Sequence, residues 1–337
     1  MSDLEDLRGL VIPGLRFRPF AGEADYPAMA ALFNRMARED DDDPVWDVDA
    51  LRRGDQWFED FDPALDRVII EMEGTMIGSA RVRVALEPDG TRMYGHGCGL
   101  LREWRGKGIE RAILQHNETR LREIAQRFPE DKRRLFRIGS VPENNLEMIH
   151  ASSAMGYEPI RYSFHMVRPH LENIPHAALP DGLDARPVVE EEVRAIWDAN
   201  LEAFRDHWGY QDPPANGFDL WRSTPTWDRT LSRVAWTADG KVAGMVLIFV
   251  PRGEEFPGRK RMAETEQICV TPPWRRKGVA TALIARCLQL LKEAGFEEAS
   301  LGVDTQNLSG ALRIYERMGY RVKRKYTLFQ KAMEEAV

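Results

Sequence analysis

Cysteine is scarce in this chain of 337 residues: Cys98, Cys269 and Cys287 stand far apart. They cannot build a disulfide framework, and without Cys-x-x-Cys or His-Glu-x-x-His the sequence lacks the ligand spacings of a zinc site. No metal is expected, and the expected compartment is reducing. No run approaches the roughly 18 apolar residues of a membrane-spanning helix, and Met1-Ser2-Asp3-Leu4-Glu5-Asp6 is acidic where a secretory signal is basic. Positive charge is not in excess either. The 47 Lys+Arg against 54 Asp+Glu give a net charge of −7 and a pI near 5.7, with no basic tail, which disfavours nucleic-acid binding. A soluble, cytoplasmic monomer or homodimer without metal, membrane or nucleic-acid partner is therefore expected.

The length suggests two domains, and an internal repeat supports this. Gly14-Leu15-Arg16-Phe17-Arg18-Pro19 returns 168 residues later as Gly182-Leu183-Asp184-Ala185-Arg186-Pro187. Both phrases precede a helical pattern, Tyr26, Met29, Ala30, Phe33 in one and Val193, Ile196, Trp197, Leu201 in the other. Hairpin turns are predicted at Glu73-Gly74 and Asp239-Gly240. Trp104-Arg105-Gly106-Lys107-Gly108-Ile109-Glu110 aligns with Trp274-Arg275-Arg276-Lys277-Gly278-Val279-Ala280 at an offset of 170. Met155-Gly156-Tyr157 aligns with Met318-Gly319-Tyr320 at 163, so the first copy carries seven extra residues between turn and following strand. A stretch with Pro175 and Pro180 separates the copies, which sets the expected domains at 1–172 and 182–337 with a linker at 173–181. The acidic run Glu39 to Asp43 reads as a solvated loop.

The stretch from Glu264 to Tyr320 carries the chemistry. A predicted strand, Ala263 to Val270, runs through Thr271-Pro272-Pro273-Trp274-Arg275-Arg276-Lys277-Gly278 into a helix with Val279, Leu283, Cys287 and Leu291 on one face. The first N–H groups of a helix lack internal partners and its dipole adds positive charge there, so such a turn binds an anion. Gly278 lets a phosphate approach, Ala280 keeps clear of it, and Arg275, Arg276 and Lys277 add charge. The spacing is neither the P-loop nor the Gly-x-Gly-x-x-Gly turn.

Arg-x-x-Gly-x-Ala, with Val-x-Pro before it and Asn307 to Tyr320 after it, resembles the acetyl-CoA site of the GCN5-related N-acetyltransferases (GNAT). The resemblance implies an α/β fold of two tandem GNAT domains, each a mixed sheet with helices on both faces. It implies acetyl transfer from acetyl-CoA to the primary amine of a small molecule; the alternative is an acyl-CoA-binding regulatory protein without turnover. Cofactor contacts are implied for Ile268, Cys269, Val270, Arg275, Arg276, Lys277, Gly278, Val279, Ala280, Thr281, Asn307 and Ala311. Amide N–H groups of Ile268 or Val270 are expected to polarise the thioester carbonyl.

Acetylation needs a neutral amine, and deprotonating an alkylammonium at pH 7 costs roughly 4 kcal/mol. Glu264 and Glu266, two apart on one strand face, are the candidate bases, Glu264 first by its place in the motif and Glu266 second. Asn307 to Tyr320 resembles the family's helix whose tyrosine protonates the leaving thiolate, which assigns that role to Tyr315. Glu202 to Gly209 is similar to a phrase of tandem acetyltransferases that include the mycothiol synthases, which marks Asp206, His207 and Trp208 as candidate substrate contacts.

The first copy departs where it matters. Glu110 stands where Ala280 does, Ser152 where Tyr315 does, and a gapless alignment puts Tyr94 and His96 at Glu264 and Glu266. It is expected to be noncatalytic, with a bulged strand over Gly95-His96-Gly97-Cys98-Gly99.

Overall fold

The computed structural model describes residues 7, 9–42, 46–251, 260–306 and 310–334. They form two compact units, Met1–Arg161 with Tyr326–Val337, and Tyr162–Lys325. In the first unit β1 (Leu15–Pro19) leads to helices α1 (Tyr26–Glu39), α2 (Val48–Gln56) and the short α3 (Pro63–Asp66). Strands β2 (Arg67–Met72), β3 (Thr75–Leu86) and β4 (Thr91–Leu100) follow, then α4 (Ile109–Ala125), β5 (Arg133–Pro142), α5 (Leu146–Ala154) and β6 (Glu158–Arg168). The second unit repeats the order. It runs β7 (Leu183–Arg186), α6 (Val193–Phe204), α7 (Gly217–Arg222), β8 (Trp227–Thr237), β9 (Val242–Phe249), β10 (Met262–Val270), α8 (Val279–Glu293), β11 (Glu298–Asp304), α9 (Ala311–Arg317) and β12 (Arg321–Ala332).

Each sheet is mixed. Its strands pair antiparallel except β4 with β5 and β10 with β11, which need a helical crossover and have one, α4 and α8. The predicted stripe of α8 is the buried one: Val279, Leu283, Cys287 and Leu291 are at most 1% exposed and join Val246 and Ile248 in the core. The Glu73-Gly74 turn has positive φ at both residues (49° and 81°), as a two-residue hairpin loop requires. Among the described residues no helix is long and apolar enough to cross a membrane, and no group of three or more His, Cys, Asp or Glu is placed to hold a metal.

Each copy ends in one long strand rather than a strand pair, and the division between units falls inside it. Residues Ser163 to Arg168 of β6 pair with β11, whereas Tyr326 to Ala332 of β12 pair with β5. The closing strand of each copy thus completes the sheet of the other. The limits 1–172 and 182–337 follow chain order, while the compact units exchange these strands, because side-chain periodicity reveals a strand's faces and not its partner.

The exchange places a charged side chain inside the first unit. Lys331 donates to the buried Glu118 (2.6 Å), which also accepts from the Tyr157 hydroxyl (2.9 Å) and from Arg122 (3.1 Å). Phe329, 2% exposed, packs in the same core. Breaking a buried pair costs about 3–5 kcal/mol. Lys331→Met is therefore expected to destabilise the first unit selectively. Hydrogen exchange should accelerate in 133–142 while 298–304 stays protected; equal loss in both segments would contradict the strand exchange.

Candidate active site

The site forms where β10 leaves its neighbours. Against β9 the register is Glu264↔Phe249, Thr265↔Ile248 and Glu266↔Leu247, then jumps to Cys269↔Met245 and Val270↔Gly244. One extra residue is accommodated in this bulge, where Gln267 takes a φ of 47° and accepts a hydrogen bond from the Trp221 indole N–H (2.9 Å). On the other side, the parallel pairing with β11 covers only Met262 to Glu264 against Glu298 to Ser300. Beyond Glu264 the two strands part. Glu266 reaches across the gap, and the Gly302 N–H donates to its Oε1 (2.9 Å).

Glu264 and Glu266 are both half-buried. Burial pushes the Glu266 carboxyl up to about 7; the Gly302 N–H opposes the rise and the Glu264 charge adds to it. Tyr315 on α9 is 6% exposed. Burial raises its phenol well above the ordinary value, and Glu266 and Cys269 lie near enough for their charge to reinforce the rise. Tyr315 packs edge-to-face on Tyr320 (6.2 Å), whose hydroxyl bonds Thr265 Oγ1 (2.8 Å) behind the strand. The bulged strand, a tuned carboxylate and a buried phenol within its electrostatic reach thus share this end of the sheet. Cys269 is buried, its thiol pushed up to about 12 by burial, with Asn200 Oδ1 at 4.0 Å; Ile268 and Val270 are half-buried beside it.

The anion turn follows. Arg275 is held by its own surroundings: it donates to the Val270 carbonyl (3.2 Å), to the Ala203 carbonyl (3.1 Å) and to both oxygens of Asp206 (2.5 and 3.1 Å). Arg276 has a φ of 61° and Gly278 of 87°, and the first helical hydrogen bond of α8 runs from Ala282 N–H to the Gly278 carbonyl. The N–H groups of Val279, Ala280 and Thr281 therefore precede the helical ladder. A Cβ at Gly278 would meet nothing within 4 Å, so the space over the turn is open. Arg276 and Lys277 are exposed beside it, Lys277 over the Trp274 ring (5.0 Å). This donor set suits a diphosphate.

Of the candidate substrate contacts, Asp206 is engaged by Arg275, His207 packs edge-on against Phe204 (4.5 Å), and Trp208 is exposed. Ala311 is half-buried at the start of α9, next to Gly310 with a φ of 72°; Asn307 lies outside the described residues. Sequence reasoning passed over Trp221, Gln267 and Asn200, because nothing local marks a tryptophan as the support of a distant bulge.

The first unit builds the same frame without a bulge in β4. Arg105 donates to the Leu100 carbonyl (3.1 Å) and to both oxygens of Asp40 (2.9 and 2.5 Å), so the run read as a solvated loop supplies a structural partner. Glu110, 3% exposed, turns back and accepts from Gly106 N–H (2.9 Å), which puts its own carboxylate in the anion turn. Ser152 is spent on the Met148 carbonyl (2.7 Å). The expected bulge at Gly95 to Gly99 is absent: β3 and β4 pair without a register shift from Gly78↔Leu100 to Leu86↔Arg92. That corrects the gapless alignment by one residue. Glu264 pairs with Ser300 as Gly95 pairs with Arg137, and Thr265 bonds Tyr320 as His96 bonds Tyr157 (2.7 Å). Gly95 and Gly97, not Tyr94 and His96, stand at the two carboxylate positions.

Two mixed sheets, one opened beside an anion-binding helix start, define an acyltransferase-like pair of domains. The chain belongs to the acetyltransferase (GNAT) family, whose model matches residues 27–145 and 193–320, once in each copy. It is 29% identical over 168 residues to a mycothiol acetyltransferase of Salinispora tropica, covering 49% of this chain and 53% of that protein. It is 35% identical over 68 residues to the N-alpha-acetyltransferase MAK3 of Arabidopsis thaliana, covering 20% of this chain and 35% of that one. The chain thus spans about half or less of the length of these relatives. Among solved structures, a GCN5-related N-acetyltransferase from Sphaerobacter thermophilus superposes with a TM-score of 0.69 at 24% identity, covering 97% of this chain and 98% of that one. A tandem GNAT protein from the clavulanic acid biosynthesis pathway gives 0.65 at 16%, covering 96% and 100%. At these identities both show the fold.

If an internal carboxylate closes the first turn, the same group should close the second. Ala280→Glu is expected to weaken CoA binding at least about tenfold, the equivalent of one charge-assisted hydrogen bond, with little change in melting temperature. Calorimetric titration checks this, and undiminished affinity would place the diphosphate elsewhere.

Proposed function

We propose that the second unit is an acetyl-CoA-dependent N-acetyltransferase acting on the primary amine of a small molecule, and that the first unit is noncatalytic. The observation that carries this reading is the meeting of Glu266, poised near neutrality, with Tyr315 at the parting of β10 and β11. Acetyl-CoA would be held by the N–H groups of Val279 to Thr281 with Arg276 and Lys277, and it supplies the activated acetyl group.

The chain's own groups then move protons. Glu266 takes one from the acceptor ammonium, a match in acidity that a carboxylate near 7 provides at neutral pH. The amine forms the new C–N bond as the C–S bond breaks, and amide N–H groups of the bulged strand donate to the developing oxyanion. Tyr315, kept neutral by burial, donates its proton to the departing sulfur and regains one from the Glu266 carboxylic acid. The second proton leaves the nitrogen for solvent as the amide forms, so ammonium and thioester become neutral amide, thiol and one released proton. The geometry supports Glu266 over Glu264 as the base, with Glu264 as the neighbour whose charge raises it. A regulatory acyl-CoA binder would have no use for this tuning.

In the proposed enzyme kcat/KM rises with pH through about 7, since the base works only when ionised. Glu266→Gln should lower the rate at neutral pH by about 10²–10⁴. Tyr315→Phe should lower kcat more than it raises KM. Glu264→Gln should keep activity but move the midpoint of the profile to lower pH, because a like charge is gone. Loss of activity in Glu264→Gln with Glu266→Gln intact would return the base to Glu264, and thiol release unaffected in all three would sink the acid–base scheme.

A further inference from the structure

We infer that the first unit binds a small organic oxyanion, a carboxylate or phosphate ester on an apolar body, in a cavity that the proposed acetyl transfer does not use. The cavity encloses about 730 Å³ between α1, α2 and strands β3 to β5, within the range of roughly 300–1,000 Å³ typical of ligand sites. Five arginines line it: Arg67, Arg81, Arg83, Arg105 and Arg137. Three have strong partners of their own. Arg67 pairs with the buried Asp55, which also accepts from the Tyr26 hydroxyl; Arg105 pairs with Asp40; and Arg137 pairs with Glu87 and Gln330. Asp42, also on the wall, accepts from the Tyr326 hydroxyl (3.0 Å).

Arg81 and Arg83 remain. They lie two apart on β3 and so share a face. Among the described residues Arg81 has only Asp55, at 3.8 Å and already engaged, as an ion-pair partner, and Arg83 makes no ion pair. Both guanidinium groups lie over the Phe58 ring, at 5.8 and 5.3 Å. Burial lowers both, Arg81 to about 10, and for Arg83 the neighbouring Arg137 adds to the effect.

The register shows that this arrangement is built. Arg83 faces Gly95, which pairs in turn with Arg137, and a Cβ at Gly95 would fall 3.0 Å from the Arg83 side chain. The missing side chain is what gives the guanidinium its room. In the second unit the same places hold Phe249 opposite Glu264 and Leu247 opposite Glu266. The sign of the cleft is inverted: carboxylates suited to an amine in one unit, arginines suited to an anion in the other. Forked N–H donors short of counter-charge bind planar or tetrahedral oxyanions bidentately, and Phe33, Trp46 and Trp57 supply an apolar wall for the rest of the ligand.

The test titrates the full chain with phenyl phosphate, benzoate, inorganic phosphate and benzylamine at up to millimolar concentration, reading tryptophan fluorescence and melting temperature. Phenyl phosphate and benzoate are expected to bind, inorganic phosphate more weakly and benzylamine not at all. Arg81→Leu with Arg83→Phe, the residues of the second unit, should weaken phenyl phosphate at least about tenfold while leaving CoA affinity unchanged. Should that double variant not fold, Arg83→Lys, which keeps charge and stem but loses the fork, should weaken binding by itself. No response of the wild type to either organic anion, equal binding of inorganic phosphate, equal affinity in the arginine variants, or displacement of phenyl phosphate by CoA would each overturn the proposal.

Discussion

The chemistry of the second unit depends on where a hydrogen-bond ladder stops. Three parallel pairs join β10 to β11, against six between β4 and β5. The first ladder starts earlier and ends at His96↔Ile138, one step beyond the equivalent of Glu264↔Ser300, so what sets the second unit apart is the bulge that follows. The bulge after Glu266 turns the strand, and Gln267 is held at a positive φ, a strain of about 1–3 kcal/mol for a residue with a side chain. The Trp221 indole compensates by binding the Gln267 side chain. Past the end of the ladder the Gly302 N–H is free of a β10 carbonyl and meets Glu266 instead, at the residue just before the bulge and within electrostatic reach of Tyr315.

What was legible in the sequence was local. The apolar stripe of α8, the glycine at the start of that helix and the two-residue turn at Glu73-Gly74 each follow from a few adjacent residues, and each stands where the pattern puts it. The family resemblance rested on such stretches too. What was not legible concerns pairing. A one-residue bulge leaves composition and periodicity almost unchanged, so aligning the copies without a gap set Tyr94 and His96 against the carboxylates; only the shared bonds to Tyr157 and Tyr320 reveal the shift. The closing strands pose the same difficulty, since β6 and β12 look alike as sequences and differ in which sheet they complete. Asp40 and Asp206 were read as a loop charge and a substrate contact, yet each holds the arginine that opens an anion turn.

The two helix starts keep one backbone frame and differ in what meets their N–H groups. A helix start of this kind concentrates N–H groups and positive potential in one place, and something negative must meet them or water must. In the first unit that something is covalently attached: Glu110 is buried, accepts from Gly106, and makes the turn self-sufficient. Ala280 leaves the second turn dependent on solvent or ligand. Arg105 and Arg275, bound alike to a backbone carbonyl and an aspartate, maintain the loop in both cases. The motif's first arginine therefore belongs to the scaffold, and the two turns differ at the residue two places beyond the glycine.

The first unit, its anion turn closed by Glu110, differs from the second on β3 and β4 as well. Glycines stand at 95 and 97 where the second unit has carboxylates; the space beside Gly95 is taken by the Arg83 side chain, and the space beside Gly97 stays open. A side chain at position 95 would crowd the Arg83 guanidinium. Gly95 makes the change from carboxylates to arginines sterically possible, and the cavity opens along the glycine-bearing end of β4, where its pairing with β5 has ended at His96↔Ile138, facing helices α1 and α2.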